Sequence, residues 1–211
     1  MKLNARQLRD VDEMDAVIAE KIKNLKRRPM YFILENIYDT YNIGGLFRLA
    51  DALAIEKIYI CGESEIPPNP KIKKASIGTY KVVPWEYKKS VSEAISDLRS
   101  KFQIPRSKQI PNSNFQSPNQ QLPTTNYNLQ PKIIAVEQSP NSVPYTKVDY
   151  SGPVVLILGN ETYGVTEETL KLADQIVEIP MYGINKSLNV IVSGAIVSYW
   201  AILSSHFSTA V

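Results

Sequence analysis

The chain reads as an α/β protein, a mostly parallel sheet with helices on both faces. Three observations predict this. Val154 to Leu158 is an uninterrupted apolar run, as expected of a strand buried on both faces. One form, strand end to polar loop to helix, recurs at Glu35 to Ala52, Val154 to Asp174 and Ile179 to Trp200. The last of these closes in a helix so apolar that it needs cover on more than one side. A length of 211 residues suits a single domain, 1–211, with a sizeable core.

Taken in order, residues 4–28 are predicted helical. Leu8, Val11, Val17, Ile18, Ile22 and Leu25 fall near a 3.6-residue period, and Pro29 ends it. Its basic end (Lys21, Lys23, Lys26, Arg27, Arg28) reads as a solvated face or as a surface turned to RNA. Tyr31 to Leu34 as strand, Ile43 to Leu53 as helix and Lys57 to Cys61 as strand make an opening βαβ unit. After a turn-rich loop at Pro67 to Pro70, Lys71, Lys73, Lys74, Lys81, Lys88 and Lys89 alternate with Tyr80, Trp85 and Tyr87. Cations among rings suit an RNA surface, where phosphates meet charge and bases stack. An equal reading is a strand with Val82 and Val83 inward and its lysines in water.

Val91 to Phe102 is predicted as a short helix. From Gln103 to Pro131 the chain is dominated by Pro, Asn, Gln and Ser, too little apolar surface to offset ordering entropy. Residues 103–131 are therefore expected to be a mobile insertion. Lys132 to Glu137 resumes as strand, and Gly152-Pro153 turns into the central run. Thr166 should cap a helix to Ala173, with Glu167 and Glu168 in its first turn. Gln175 to Ile179 ends a strand at Pro180, the chain turns at Gly183, and Ser187 is the expected N-cap of the last helix.

Composition sets bounds on function. A net charge of +3 permits a nucleic-acid partner without demanding one. Cys61 is the only cysteine, so no disulfide framework exists and a reducing cytoplasm is expected. The opening MKLNARQLRDVDEMD carries no apolar signal core. Leu188 to Leu203 is interrupted by Asn189, Ser193 and Ser198 and is short for a membrane span, so it reads as a buried helix. His206 is the sole histidine, which argues against histidine-centred catalysis or metal binding.

Polar loops at the carboxyl ends of parallel strands are where open α/β sheets hold ligands. The helix after Ser187 would turn its positive dipole end towards such a ligand. Arg48 offers a fork of donors to a phosphate or a ribose oxygen, or else a salt bridge to Glu35 or Asp51. Gly159 lets a ligand approach closely or simply turns the strand end. Asn42, Glu161, Ser187 and Asn189 have turn or helix-start readings beside any role in a site.

Three motifs in order narrow these alternatives: N-x-G-x-x-x-R at Asn42 to Arg48, L-G-N-E-x-x-G at Leu158 to Gly164, and I-P-M-x-G-x-x-x-S-L-N-V from Ile179. Together they resemble the signature motifs of the SpoU/TrmH branch of the SPOUT methyltransferases. The resemblance implies a C-terminal trefoil knot and S-adenosylmethionine as cofactor, held by Leu158, Gly159, Ile179, Met181, Ser187 and Leu188. It implies methyl transfer to a ribose 2′-hydroxyl of tRNA or rRNA, with Arg48, Asn42, Glu161, Ser187 and Asn189 in the active site. A guanidinium holds its proton too tightly to be a good base, so Arg48 is read as positioning phosphate and stabilising the forming oxyanion. Arg48, Lys71, Lys73 and Lys74 are the RNA-binding candidates, and no metal is expected. The resemblance also implies a homodimer through the last helix that completes the site across the interface. Two other functions stay open at this stage: base methylation, as in other SPOUT branches, and RNA binding without turnover.

Overall fold

The structure, a computed structural model, describes residues 25–102 and 130–207 together with Leu8, Glu20, Ile22 and Asn24. Its strands are β1 (Arg28–Glu35), β2 (Ile55–Cys61), β3 (Trp85–Lys88), β4 (Lys132–Val136), β5 (Val143–Pro144), β6 (Val154–Leu158) and β7 (Gln175–Glu178). They form one sheet in the order β3-β2-β1-β6-β4-β7-β5, and every pairing is parallel. The predicted apolar run, β6, lies at the centre, with Val154 paired to Met30 on one side and Lys132 on the other.

The two-residue period of the strands divides the core between the faces. On one face Phe32, Leu34, Ile58, Ile60, Leu156 and Leu158 pack under α1 (Thr40–Leu53) and α5 (Val190–Phe207). On the other, Ile33, Tyr59, Val155 and Ile157 pack under α3 (Val91–Lys101) and the one-turn α4 (Glu167–Leu170). The expected layering holds, with helices on both faces.

Four boundaries differ from expectation, each for a local reason. Lys71, Lys73 and Lys74 lie on a helix rather than in the loop. Asn69 accepts from the N–H groups of Lys71 and Ile72 and starts α2 (Pro70–Ser76), with proline in its first turn. A 3₁₀ turn, Thr79–Lys81, follows, so Val82 and Val83 are buried as expected but from turn backbone. α1 starts earlier than predicted, because Asp39 caps it by accepting from Tyr41 N–H. Thr166 does cap α4 by accepting from Thr169 N–H, but that helix stops at Leu170 rather than Ala173.

The N-terminal helix also ends earlier than predicted: Leu25 to Arg27 are not helical and Arg28 already belongs to β1. Leu8, Glu20, Ile22 and Asn24 are helical, with Leu8 and Ile22 against the core; the rest of the segment lies outside the described residues. Arg27 is not offered to a partner. Its guanidinium donates to the Ile55 carbonyl at 3.0 Å and the Val82 carbonyl at 2.6 Å, tying β2 to the 3₁₀ turn. Of the predicted insertion 103–131, only Gln130 and Pro131 lie among the described residues. No helix among the described residues is long and apolar enough to cross a membrane.

Candidate active site

Three loops meet where β1, β6 and β7 end. The first to consider is the turn after β6. Asn160 N–H donates to Gly164 O at 3.0 Å and Gly164 N–H to Asn160 O at 2.9 Å, closing the turn. Asn160 Oδ1 accepts from the N–H groups of Thr162 and Tyr163, and its Nδ2 donates to Asn36 O at 2.7 Å. Gly164 adopts φ +70°, a conformation that favours glycine. A Cβ on Gly159 would run into the backbone of Gly164 and Val165. The turn reading of this glycine is thus realised in the packing, and Gly159 also lines a cleft.

Two carboxylates brace the same turn from below. Glu137 accepts from Val165 N–H at 2.8 Å. Buried Glu35 accepts from Thr166 N–H at 3.0 Å, from Thr166 Oγ1 at 2.9 Å and from Thr169 Oγ1 at 2.6 Å. Cys61 is buried beside Glu35; burial first, then that carboxylate, pushes its thiol up to about 12, so it is no nucleophile near neutral pH.

The loop from Ile179 to Asn189 is tied back by Gln138, whose Nε2 donates to Lys186 O at 2.7 Å. Ser187 does not cap α5. That helix starts at Val190, and Asn189 Oδ1 accepts from Ile191 N–H at 2.8 Å. Ser187 N–H instead donates to Asn185 Oδ1 at 3.2 Å within the loop. Glycines let α1 come close to its neighbours. A Cβ on Gly45 would meet Ile191 of α5, and one on Gly44 would meet Ala75 and Ser76 at the end of α2.

This close approach joins the three motifs by hydrogen bonds. Asn189 Nδ2 donates to Asn42 Oδ1 at 2.9 Å, and Asn42 Nδ2 donates to Glu161 Oε1 at 2.7 Å. The two ends of the relay set its direction. An ionised carboxylate only accepts and the Ile191 amide only donates, so neither asparagine amide has a satisfactory flipped alternative. Asn42 is buried on α1, which gives the relay a fixed centre.

Two adjoining clefts meet at Glu161, one end of this relay. One, of about 350 Å³, is lined by Leu158, Gly159, Ile179, Met181, Ser187 and Leu188, the full set expected at the cofactor, together with Glu137 and Gln138. The second, of about 470 Å³, is lined by Asn42, Glu161, Ser187 and Asn189 and opens past Tyr38 and Asp39. Glu161, Ser187 and Leu188 belong to both walls. Asn160, Glu137 and Gln138 were not singled out in the sequence. Asn160 sits inside a quoted motif, and the other two stand at a strand end.

Arg48 and the lysines are not brought into these clefts. Arg48 is exposed on α1 and forms no hydrogen bond or ion pair among the described residues. Its alternative as a salt-bridge partner of Glu35 fails, because that carboxylate is engaged by Thr166 and Thr169. Lys71, Lys73 and Lys74 are exposed on α2, which packs on α1. Among the described residues no cluster of His, Cys, Asp and Glu is arranged to hold a metal.

The profile of the SpoU rRNA Methylase family matches residues 29–199, which contain all three loops. The chain belongs to this family. A curated relative, the tRNA (guanosine(18)-2′-O)-methyltransferase of Escherichia coli strain K12, is 25% identical over 180 residues, 83% of this chain and 64% of the relative. The chain thus spans somewhat under two thirds of that relative's length. The crystal structure of the Aquifex aeolicus TrmH/SpoU tRNA modifying enzyme superposes with a TM-score of 0.66 at 25% identity, covering 92% of this chain and 86% of that one. The SpoU methyltransferase AviRb of Streptomyces viridochromogenes, solved in complex with the cofactor AdoMet, gives a TM-score of 0.66 at 21% identity, over 87% of this chain and 63% of that one. The α/β fold expected from the sequence is therefore that of the SpoU/TrmH structures.

Proposed function

We propose that this protein is an RNA ribose 2′-O-methyltransferase dependent on S-adenosylmethionine. The observation that carries the reading is the Asn189–Asn42–Glu161 relay, which links one residue from each motif along the second cleft and reaches the first at Glu161. The 350 Å³ cleft is of a size that suits a small-molecule cofactor, and it mixes apolar walls at Leu158, Ile179 and Leu188 with polar Ser187. When bound there, the cofactor would supply an electrophilic methyl group. The names of the relatives, a tRNA 2′-O-methyltransferase and an AdoMet-bound neighbour, support the same assignment.

In this reading the second cleft receives the ribose. Asn42, Glu161, Ser187 and Asn189 orient its 2′-hydroxyl towards the cofactor side. Arg48 would bind the neighbouring phosphate and stabilise the 2′-oxygen as its proton passes to water; the O–CH3 bond would form as the S–CH3 bond of the sulfonium breaks, leaving a neutral thioether. Lys71, Lys73 and Lys74 extend a basic surface along α2 for the RNA backbone. We further infer the trefoil knot of the family in the segment from β6 to α5, one catalytic domain over 1–211, and a cytoplasmic setting that suits the single cysteine, Cys61.

Arg48 lies outside the clefts of its own chain, and among the described residues α5 carries an exposed apolar stripe. Val192, Tyr199 and Leu203 are 44%, 48% and 52% exposed and follow the helical period with half-buried Ile196. A second copy laid along this stripe would cover it and would bring in a cation for the acceptor cleft. The homodimer is therefore part of the proposal.

Labelled S-adenosylmethionine incubated with the protein and total tRNA or ribosomal RNA, followed by digestion to nucleosides, tests the activity. Label on ribose is expected; label on a base, or none on any RNA, refutes it. Sedimentation tests the assembly. Wild type is expected to be a dimer, and Ile196→Glu a monomer without transfer. A monomeric wild type that transfers methyl groups would refute that half.

A further inference from the structure

We propose that Asn36, the first residue after β1, is a positioning residue for the acceptor cleft, an inference that rests on the RNA substrate proposed above. Two hydrogen-bonded branches lead from it to that cleft's wall. The first leaves from the backbone. Asn36 O accepts from Asn160 Nδ2 at 2.7 Å, and Asn160 Oδ1 accepts from Thr162 N–H at 2.8 Å. Asn160 thereby seats Glu161 and Thr162, both of which line the cleft. The second leaves from the side chain. Asn36 Oδ1 accepts from Glu63 N–H at 3.0 Å, and Glu63 Oε2 accepts from Tyr38 O–H at 2.9 Å. Tyr38 lines the same cleft, whereas Asn36 and Glu63 do not, so each of these two acts through another residue.

The local sequence is fitted to this hub. Asn36 stands at φ +53°, a left-handed conformation that asparagine tolerates because its short amide bonds to nearby backbone. Its own N–H donates to Cys61 O at 3.2 Å, at the end of β2. Next in the chain, Gly62 stands at φ +67°, and a Cβ there would run into Asn36 Oδ1. Glycine is thus needed both for the conformation and for the seat of the amide. Ile37 N–H donates to Ser64 Oγ at 2.8 Å, and that buried hydroxyl donates to Cys61 O at 3.0 Å. The loops after β1 and β2 are therefore tied into one unit, with the loop after β6 attached through Asn160.

A turn after β1 needs none of the second branch to keep the fold. The bond between Tyr38 and Glu63 is exposed, where water competes for both partners and the gain in stability is small. Its consequence is for binding. It orders the Tyr38 side chain on the cleft wall before RNA arrives, so less freedom is lost on association.

The two branches leave Asn36 by different atoms, which makes them separable. Asn36→Gly keeps the left-handed backbone and the carbonyl but removes Oδ1; Tyr38→Phe removes the hydroxyl at the far end of the same branch. The full chain is titrated with fluorescein-labelled total tRNA by anisotropy, and KM and kcat for methyl transfer are measured with the same RNA. Each variant is expected to weaken RNA binding about threefold to tenfold, the range of one net hydrogen bond, with more of the loss in KM than in kcat. The double variant should be no weaker than the weaker single, because both changes break one chain of contacts. Affinity for S-adenosylmethionine should stay at the wild-type value. RNA affinity unaltered by Asn36→Gly overturns the proposal. Multiplied losses in the double variant overturn it too, and so does a loss of cofactor affinity in step with RNA affinity, which would make Asn36 a general strut. The two proposals fail separately. Non-additive RNA binding in a protein whose wild type transfers no methyl group keeps the positioning role and removes the methyltransferase reading. Transfer by wild type with silent or multiplicative variants removes only the role of Asn36.

Discussion

The two clefts share a wall but are built from different materials. The cofactor-side cleft is lined by loop segments that the chain ties to itself: Asn160 closes one turn, Glu137 braces it, and Gln138 holds the loop at Lys186. The acceptor-side cleft is made of side chains joined end to end, Asn189 to Asn42 to Glu161, and opens to water past Tyr38. The first needs nothing further from outside the chain to keep its shape. The second has no cation in its lining; Arg48, exposed on α1, is not part of it. In the proposed reading, binding a small charged cofactor and positioning a large polyanion are separable tasks, and the acceptor side is the one that takes its cation from outside its own lining.

The sharpest break of this comparison is Arg48→Ala. If the division holds, methyl transfer to RNA falls by on the order of a hundred- to a thousandfold, the cost of removing one donor to a forming oxyanion. Cofactor affinity measured by equilibrium titration should be unchanged. Parallel loss of both would mean that the two clefts are one unit, and the contrast between them would disappear.

Gly159→Ala attacks the other side. Its Cβ would collide with the backbone of Gly164 and Val165 rather than with a movable side chain, so the turn itself has to shift. A destabilisation of about 1–3 kcal/mol is expected from overpacking, with cofactor affinity reduced at least tenfold as the lining moves. Thermal melting and titration check both numbers. A stable variant with full cofactor affinity would show the turn to be less constrained than its hydrogen bonds imply.

The sequence exposed these two halves unequally. β6 and the strand-loop-helix repeats were legible because apolar runs and polar breaks report burial directly, and they placed the loops correctly at the strand ends. The motif pattern then drew attention to Asn42, Glu161 and Asn189, but their mutual contacts depend on pairs more than a hundred residues apart. Three local misreadings had identifiable causes. Ser187 was a sound N-cap by type, yet Asn189 had a competing acceptor and a tertiary partner in Asn42. Lys71, Lys73 and Lys74 read as part of the turn-rich loop, while the Asn69-Pro70 start signal makes them helix. Arg27 counted as one of a basic cluster, although two buried carbonyls claim it. For Ser187 and Arg27 the residue type was right for two environments and a long-range partner decided between them; for the lysines a neighbouring cap did.

Asn189 provides the finest test, because its two roles use different atoms. Oδ1 caps α5 through Ile191 N–H, and Nδ2 feeds the relay at Asn42. Asn189→Ala removes both and should cost about 1 kcal/mol of stability, the usual value of a lost cap, along with part of the transfer rate. Asn189→Asp keeps a capping oxygen of equal quality but has no N–H to donate. It would face Asn42 Oδ1 with an oxygen, and Asn42 cannot turn its amide round without abandoning Glu161. The aspartate variant should therefore melt near wild type while transfer falls about tenfold, in the range of a positioning hydrogen bond. Equal stability loss in both variants would make the relay a structural strut. Wild-type transfer in Asn189→Asp would show that the acceptor side does not use the relay at all.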